Sequence, residues 1–282
     1  MNPQSKLPYW LLLGLALTSW ACQQDTPPAA SATPDLRLVK QLTDRYYGPI
    51  PFQLPASSFQ TITYQNIPFY YSPLTSQSQD VYQYDDQRRL IRTDANTPNS
   101  PQDTYTYFGQ ATYGYQDNQL IYTNLRSLPL TPTAYALTDQ GYVAPNSVYD
   151  PDGYLLSRQE GAGGQTTQRI VEGNIVQRVY ETSAFRQTIT YEYDLTRPGL
   201  PNPTVAQAGR SSRNLVVKTT DEYAYASQVP SIVANRVVTI YTYEFDAQGV
   251  VKRQFAFSES NRQPDPTVLG RELRISEFTF SH

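Results

Sequence analysis

Tyr241-Thr-Tyr-Glu-Phe245, then Asp246-Ala-Gln-Gly249, then Val250-Val-Lys-Arg-Gln-Phe-Ala-Phe257 is the stretch whose reading decides the fold. Tyr241, Tyr243 and Phe245 recur at period two, which puts three rings on one face of an extended strand. Val238 and Ile240 run into the same strand on the opposite face, so it is expected to be buried on both sides. Asp246 followed three residues later by Gly249 suits a type I turn closed by a left-handed glycine, and the apolar run after it supplies the returning strand. The unit is a β-hairpin.

The unit recurs along the chain. Tyr-x-Tyr pairs stand at Tyr82/Tyr84, Tyr105/Tyr107, Tyr113/Tyr115, Tyr191/Tyr193 and Tyr223/Tyr225. Asp85-Asp-Gln-Arg88, Asp117-Asn118 and Asp150-Pro-Asp-Gly153 each separate two strand-like runs, and Glu172-Gly-Asn174 separates 166–171 from 175–180. Thr188 to Tyr193 leads into a proline-rich loop over 197–203, and 214–219, 236–245 and 273–280 complete a set of about a dozen strands. Sequence-adjacent hairpins predict an all-β antiparallel meander. Two apolar faces on one strand predict that it forms a curved sheet, an open barrel or a sandwich. Leu36 to Leu42 fits a strand somewhat better than a helix started at Thr33-Pro34-Asp35.

Composition narrows the chemistry. The 282 residues include 24 Tyr and 22 Pro, 14 Gly, and a single Cys, His and Met each. The one histidine is His282, at the terminus, so Ser-His-Asp catalysis has no partner available, and His/Cys zinc sites lack ligands. Lys40, Lys218 and Lys252 sit in no Ser-Lys motif. A formal charge of −3 argues against nucleic acid as a partner.

Lys6 precedes the apolar run Trp10 to Leu17, followed by Thr18-Ser-Trp-Ala-Cys22. This has the charged start, short apolar stretch and small residue of a secretory signal, and is too short to span a membrane well. Its end resembles the lipobox of a bacterial lipoprotein, which implies cleavage before Cys22 and a diacylglycerol anchor on that thiol. Residues 1–21 are then the signal and 22–35, with three prolines, a tether reaching on the order of 40 Å. Residues 36–282 form the single folded domain. The anchor implies an outer-membrane lipoprotein, facing the periplasm or the cell surface, with the membrane as its first partner.

Tyr82-Gln-Tyr-Asp85 with Arg89-Leu-Ile-Arg92, Tyr149-Asp-Pro-Asp-Gly-Tyr-Leu-Leu156 and Tyr243-Glu-Phe-Asp-Ala-Gln-Gly-Val250 resemble the tyrosine-aspartate (YD) repeats of Rhs-type shells and related β-meanders. With Glu172-Gly-Asn-Ile-Val176, Thr190-Tyr-Glu-Tyr-Asp194 and Ser212-Arg-Asn214, most of 80–254 is similar to a family of Bacteroidota lipoproteins. The pattern departs at Arg88, which takes the glycine position, and after Asp194, where a long loop replaces a tight turn. The resemblance implies a fold and brings no activity with it.

The tyrosines carry the strongest functional signal. Cross-strand aromatic pairs stabilise a sheet by roughly 0.2–1 kcal/mol each, so packing accounts for most of them. The remainder suit a wall that stacks on sugar or lines a pocket, with Tyr82, Tyr84, Tyr191, Tyr193, Tyr241 and Tyr243 as candidates. Gly161-Ala-Gly-Gly164 reads as a hairpin tip. Asp150-Pro-Asp-Gly153 opens like a calcium loop but has Gly161 where the closing Glu belongs. Arg88, Arg89 and Arg92 read as a solvated edge. No cofactor, metal or catalytic residue is expected. A non-enzymatic binding or scaffolding module, meeting an envelope protein, a glycan or a lipid, is the leading expectation. Its alternatives are a periplasmic carrier of an apolar ligand, and a carbohydrate-active hydrolase using carboxylates such as Glu192, Asp194, Glu244 and Asp246.

Overall fold

The computed structural model describes residues 38–48, 60–71, 77–96, 107–126, 129–201, 207–225, 236–260 and 270–281, all in one compact unit. Cys22 and the 22–35 tether lie outside the described residues. Seventeen strands are described, against the dozen expected: β1 (Val39–Tyr47), β2 (Gln60–Tyr64), β3 (Ile67–Tyr71), β4 (Gln77–Tyr84), β5 (Leu90–Asn96), β6 (Tyr107–Gln116), β7 (Gln119–Asn124), β8 (Thr133–Ala136), β9 (Ser147–Tyr149), β10 (Leu155–Gln159), β11 (Gln165–Val171), β12 (Asn174–Glu181), β13 (Phe185–Pro198), β14 (Asn214–Tyr225), β15 (Arg236–Phe245), β16 (Val251–Ser260) and β17 (Gly270–Phe280). Fifteen form one antiparallel sheet in the order β8-β7-β6-β5-β4-β1-β17-β16-β15-β14-β13-β12-β11-β10-β9. Of the ambiguous N-terminal segment, the described part from Val39 is a strand, and it lies mid-sheet between β4 and β17. The chain thus starts at the centre, meanders to one edge, crosses to the other and meanders back.

That crossing forces curvature. Laid flat, fifteen strands at about 4.8 Å spacing are roughly 70 Å wide, whereas the link over 137–146 spans about 35 Å at full extension. The edges therefore curl towards each other, and the link bonds to both. Leu137 bridges Val143, the Ala144 N–H donates to the Ala136 carbonyl (2.8 Å), and the Gln159 N–H on β10 donates to the Asn146 carbonyl (2.8 Å). The continuous ladder stops at β8 and β9, so the sheet is not a closed barrel.

Curvature is built in at one end. Six strands leaving that end (β1, β5, β10, β12, β14 and β16) each slip register by one residue just after they start, at Lys40, Ile91, Leu156, Val176, Val217 and Lys252. An extra residue bends and twists a strand and takes a backbone group out of the ladder. At four of the six, a tyrosine on the neighbouring strand caps the carbonyl just before the extra residue. Tyr84 donates to Val39 (2.8 Å), Tyr115 to Leu90 (3.0 Å), Tyr193 to Ile175 (2.7 Å) and Tyr243 to Val216. Tyr149 makes the equivalent bond to Val143 in the link (2.9 Å).

The Asp turns sit at the same end and share one bonding pattern. Asp85, Asp150 and Asp246 each accept, through Oδ1, the N–H four residues on, at 2.8 Å in all three. In each, the N–H of the third residue on returns to the Asp carbonyl, and that residue has positive φ: Arg88 (65°), Gly153 (89°) and Gly249 (77°). Two-residue turns with both φ positive join β2 to β3, β6 to β7 and β11 to β12.

Apolar packing is divided between the two faces. On the convex face, the β2–β3 hairpin lays Phe69 against Phe257, Leu273 and Ile275. Tyr64 stacks on Phe255 with centroids 5.6 Å apart. On the concave face, Val39, Tyr82 and Leu90 are buried among Leu42, Tyr84, Tyr113, Phe278 and Phe280. Val238 and Ile240 are half-buried on the convex side of β15, a looser two-sided covering than the sequence implies.

Tyr84→Phe removes the donor to a carbonyl beside a bulge and is expected to cost about 1–3 kcal/mol, read as a lower Tm. Tyr122→Phe, whose hydroxyl bonds no described residue, stays within about 0.5 kcal/mol of the parent. Arg88→Gly relieves a left-handed side chain at an exposed turn and is expected to gain on the order of 1 kcal/mol.

Candidate functional site

Opposed residues in an antiparallel pair share a face, so the register assigns the walls. One concave row reads Tyr243, Gln254, Ser276, Asp44 across β15, β16, β17 and β1. The next reads Tyr241, Ala256, Arg274, Tyr46. A third reads Tyr191, Thr219, Thr239, Ser258 across β13 to β16. The convex rows are of another kind. Arg45 and Arg253 both pair with Glu277 (2.8 and 2.6 Å), Lys218 pairs with Glu192 (2.7 Å) and Arg92 with Asp94 (2.8 Å).

The concave face is filled beneath β4–β6 and open over β10–β16. There a cavity of about 420 Å³ is walled by Tyr191, Tyr193, Tyr241 and Tyr243 together with Arg158 and Arg178. Tyr191 and Tyr193 stack with centroids 6.4 Å apart. A second cavity, of about 600 Å³, runs on over β15–β17 and β1 past Tyr46, Glu272 and Arg274. Tyr241 and Gln254 line both, so the two make one groove.

The β13–β14 connection roofs the first cavity. Its Arg213 and Arg210 N–H groups donate to Gly173 and Gly153, and its Gln207 carbonyl accepts from Val143. Gln207 Nε2 reaches across the concavity to the Tyr115 hydroxyl (3.0 Å) on β6. Gly209 has φ 109°, and a Cβ there would lie 3.1 Å from the Gly153 carbonyl oxygen, so a side chain at this crossing is strained. Ser212 Oγ bonds Tyr193 (2.8 Å) and accepts from the Ile175 N–H. Asn214 and Asn174 bond each other twice at 3.0 Å while both are buried. These contacts give the Ser212-Arg-Asn214 motif its role.

The tyrosine candidates divide. Tyr191, Tyr193, Tyr241 and Tyr243 come together at the cavity. Tyr82 and Tyr84 do not, and that is a correction: Tyr82 is 4% exposed, and both pack in the apolar cluster under β1 and β17. Burial pushes the Tyr84 and Tyr193 hydroxyls up to about 12 and raises that of Tyr191, so all three stay protonated donors. The hydroxyls of Tyr193 and Tyr243 are committed to backbone carbonyls, whereas Tyr191 and Tyr241 bond no described residue and face the cavity free. Arg158 and Arg178 were not among the sequence candidates. Each stands two residues beyond a bulge, and the slip in register turns it to the concave side.

The four candidate carboxylates do not converge. Glu192 and Glu244 form convex ion pairs, with Lys218 and Arg253. Asp194 accepts the Thr196 N–H and hydroxyl, and Asp246 holds its turn. Asp150 is likewise engaged in its turn, and Gly161–Gly163 forms the expected hairpin tip as a 3-10 turn. Of the clustered arginines, Arg89 pairs with Asp85 (2.7 Å) and covers the Tyr115 ring.

A buried charge cluster lies on the same face and shares Arg274 with the second cavity. Asp44, 5% exposed, accepts from Ser276 Oγ and from Arg274 Nε (3.1 Å). Asp80, opposite Leu42 on the same face, has its pKa raised by burial and by the Asp44 charge. A carboxyl whose folded pKa is raised stabilises the fold below its unfolded value and loses that contribution as pH rises through the folded value. Asp80→Asn is therefore expected to melt above the parent at pH 7, the difference vanishing by pH 3.

Among solved structures the chain is similar to a porin-like protein from Bacteroides uniformis ATCC 8492, with a TM-score of 0.53 and 14% identity over 86% of this chain and 98% of that one. At that identity the likeness is one of fold. No protein-family model matches the chain, and no curated protein does.

Proposed function

We propose that this chain is a lipid-anchored, non-enzymatic binding protein of the cell envelope that holds a saccharide against the tyrosine wall of its concave sheet. One observation carries the reading: four tyrosines and a set of polar side chains converge on a roofed groove, while the opposite face carries ion pairs and a hairpin-covered apolar cluster. Flat rings offer stacking surfaces to a sugar, and the Tyr191 and Tyr241 hydroxyls with Gln254 and Thr219 offer hydrogen bonds. A carrier of a lipid or other apolar ligand is less well supported, because arginines stand in the same wall.

The porin-like likeness supports an envelope address without supporting a membrane-spanning barrel. A spanning barrel needs an outward apolar band, and each charge near its midplane costs roughly 2–4 kcal/mol. Arg45, Glu277, Arg253, Lys218 and Glu192 occupy outward positions along the strands. The sheet is read as standing in water, held to the outer membrane through Cys22 and the 22–35 tether, on its periplasmic or outer side. The YD-like turns support membership of the Bacteroidota lipoprotein family to which the sequence is similar.

Metabolic labelling with an alkyne fatty acid is expected to mark the parent and leave Cys22→Ala unlabelled and unprocessed. Equal labelling of both ends the anchor claim. Glycan-array binding by the mature protein is expected to fall at least tenfold in Tyr191→Ala and Tyr241→Ala and to survive Tyr122→Ala. A parent protein that binds no glycan on the array refutes the saccharide reading.

A further inference from the structure

We infer that the saccharide is acidic, and that Arg158 and Arg178 are the counter-ions for its carboxylate or sulfate; this rests on the saccharide reading above. Nine described ion pairs hold arginine or lysine side chains elsewhere in the sheet. Arg158 and Arg178 enter none of them. In both, the Nε–H is buried without a partner while the residue lines the tyrosine cavity. A guanidinium buried without a counter-charge is costly, and an anion bound to its fork from the cavity offsets that cost.

The charge around the cavity has one sign in excess. Its wall carries Arg158, Arg178 and Arg210 against Glu160, and Glu160 already accepts the Thr166 hydroxyl (3.1 Å). The whole chain is net negative, at −3, so this cluster runs against its overall charge. Asp221, on β14 in the concave row of Arg178 and Ile189, gives one oxygen to Gln187 and Tyr223 and keeps the other unpartnered. It makes no ion pair with Arg178. The guanidinium fork of each arginine suits a planar carboxylate. Stacking rings and two arginines outside every described ion pair together describe a uronic or sulfated sugar better than a neutral one.

The test uses the detergent-extracted mature protein and calorimetric titration with oligogalacturonate, hyaluronan and chondroitin sulfate fragments. Each is paired with its methyl-esterified or desulfated counterpart, and inorganic sulfate is run alone. The inference expects at least one acidic fragment to bind tenfold or more tighter than its neutralised partner. That preference is lost in Arg158→Gln/Arg178→Gln, whose ligand-free Tm is equal to or above the parent's because the unpaired donors are gone. Equal binding of acidic and neutral forms overturns the inference and leaves the saccharide reading standing. Sulfate as tight as any fragment overturns the saccharide part. Binding of none overturns both, and a variant that loses Tm shows the arginines to be structural and overturns their role.

Discussion

A β-bulge frees a carbonyl, and the curvature of this sheet depends on finding a donor for it. Six bulges at one end bend the strands inward, and in water-poor surroundings each freed carbonyl would cost about as much as a lost hydrogen bond. Tyrosine answers this because its ring fills the concave side of the bend while its hydroxyl extends to the adjacent strand. Tyr84, Tyr115, Tyr193 and Tyr243 do this at four of the hairpins. At β16 the capping position falls to Phe280 on β17, which has no hydroxyl, and there the ring alone remains, packed in the apolar cluster. With the bends held, the two edges come within reach of a ten-residue link, and a groove exists to be roofed.

The same side chains therefore serve fold and site, and the division between them runs within each Tyr-x-Tyr pair. In Tyr191/Tyr193 and Tyr241/Tyr243 the second tyrosine, nearer the turn, spends its hydroxyl on the bulge. The first lies one step down the concave face with its hydroxyl free. In Tyr82/Tyr84 the second behaves alike, but the first is closed over by Phe278 and its neighbours, and no cavity remains. Whether a pair lines a groove is decided by what stands across the concavity.

Sequence alone was enough for the all-β class, the meander and the turns, because those depend on residues close together in the chain: period-two tyrosines, Asp three before Gly, Asp-Asn and Glu-Gly dipeptides. The count fell short where local cues were weak. β2–β3 turns on Gln65-Asn66, an unusual pair for two left-handed residues, and β8 is four residues long. The central place of β1 was not legible, since its pairing with β17 joins residues more than two hundred positions apart. Nor was the separation of wall tyrosines from core tyrosines, or the inward turn of Arg158 and Arg178. A single bulge reverses which face every later residue takes, and a period-two reading carried through it assigns the wrong side.

The bulges also explain how arginine comes to stand in a tyrosine groove. Arg158 lies just past Leu156 and Arg178 just past Val176, the extra residues of β10 and β12. Adjacent apolar pairs, Leu155-Leu156 and Ile175-Val176, mark those slips in sequence, as Leu90-Ile91 and Val216-Val217 do on β5 and β14. Beyond each pair the alternation resumes one step out of phase. On β5 the out-of-phase charge, Arg92, falls on the convex face and is paired with Asp94. On β10 and β12 the phase brings the guanidinium inward, where no carboxylate opposes it within bonding reach. What sets these two cations apart is that each is held in the cavity wall with a buried, unpartnered Nε–H. The cost of leaving them unmatched falls in a part of the concavity that is open and roofed.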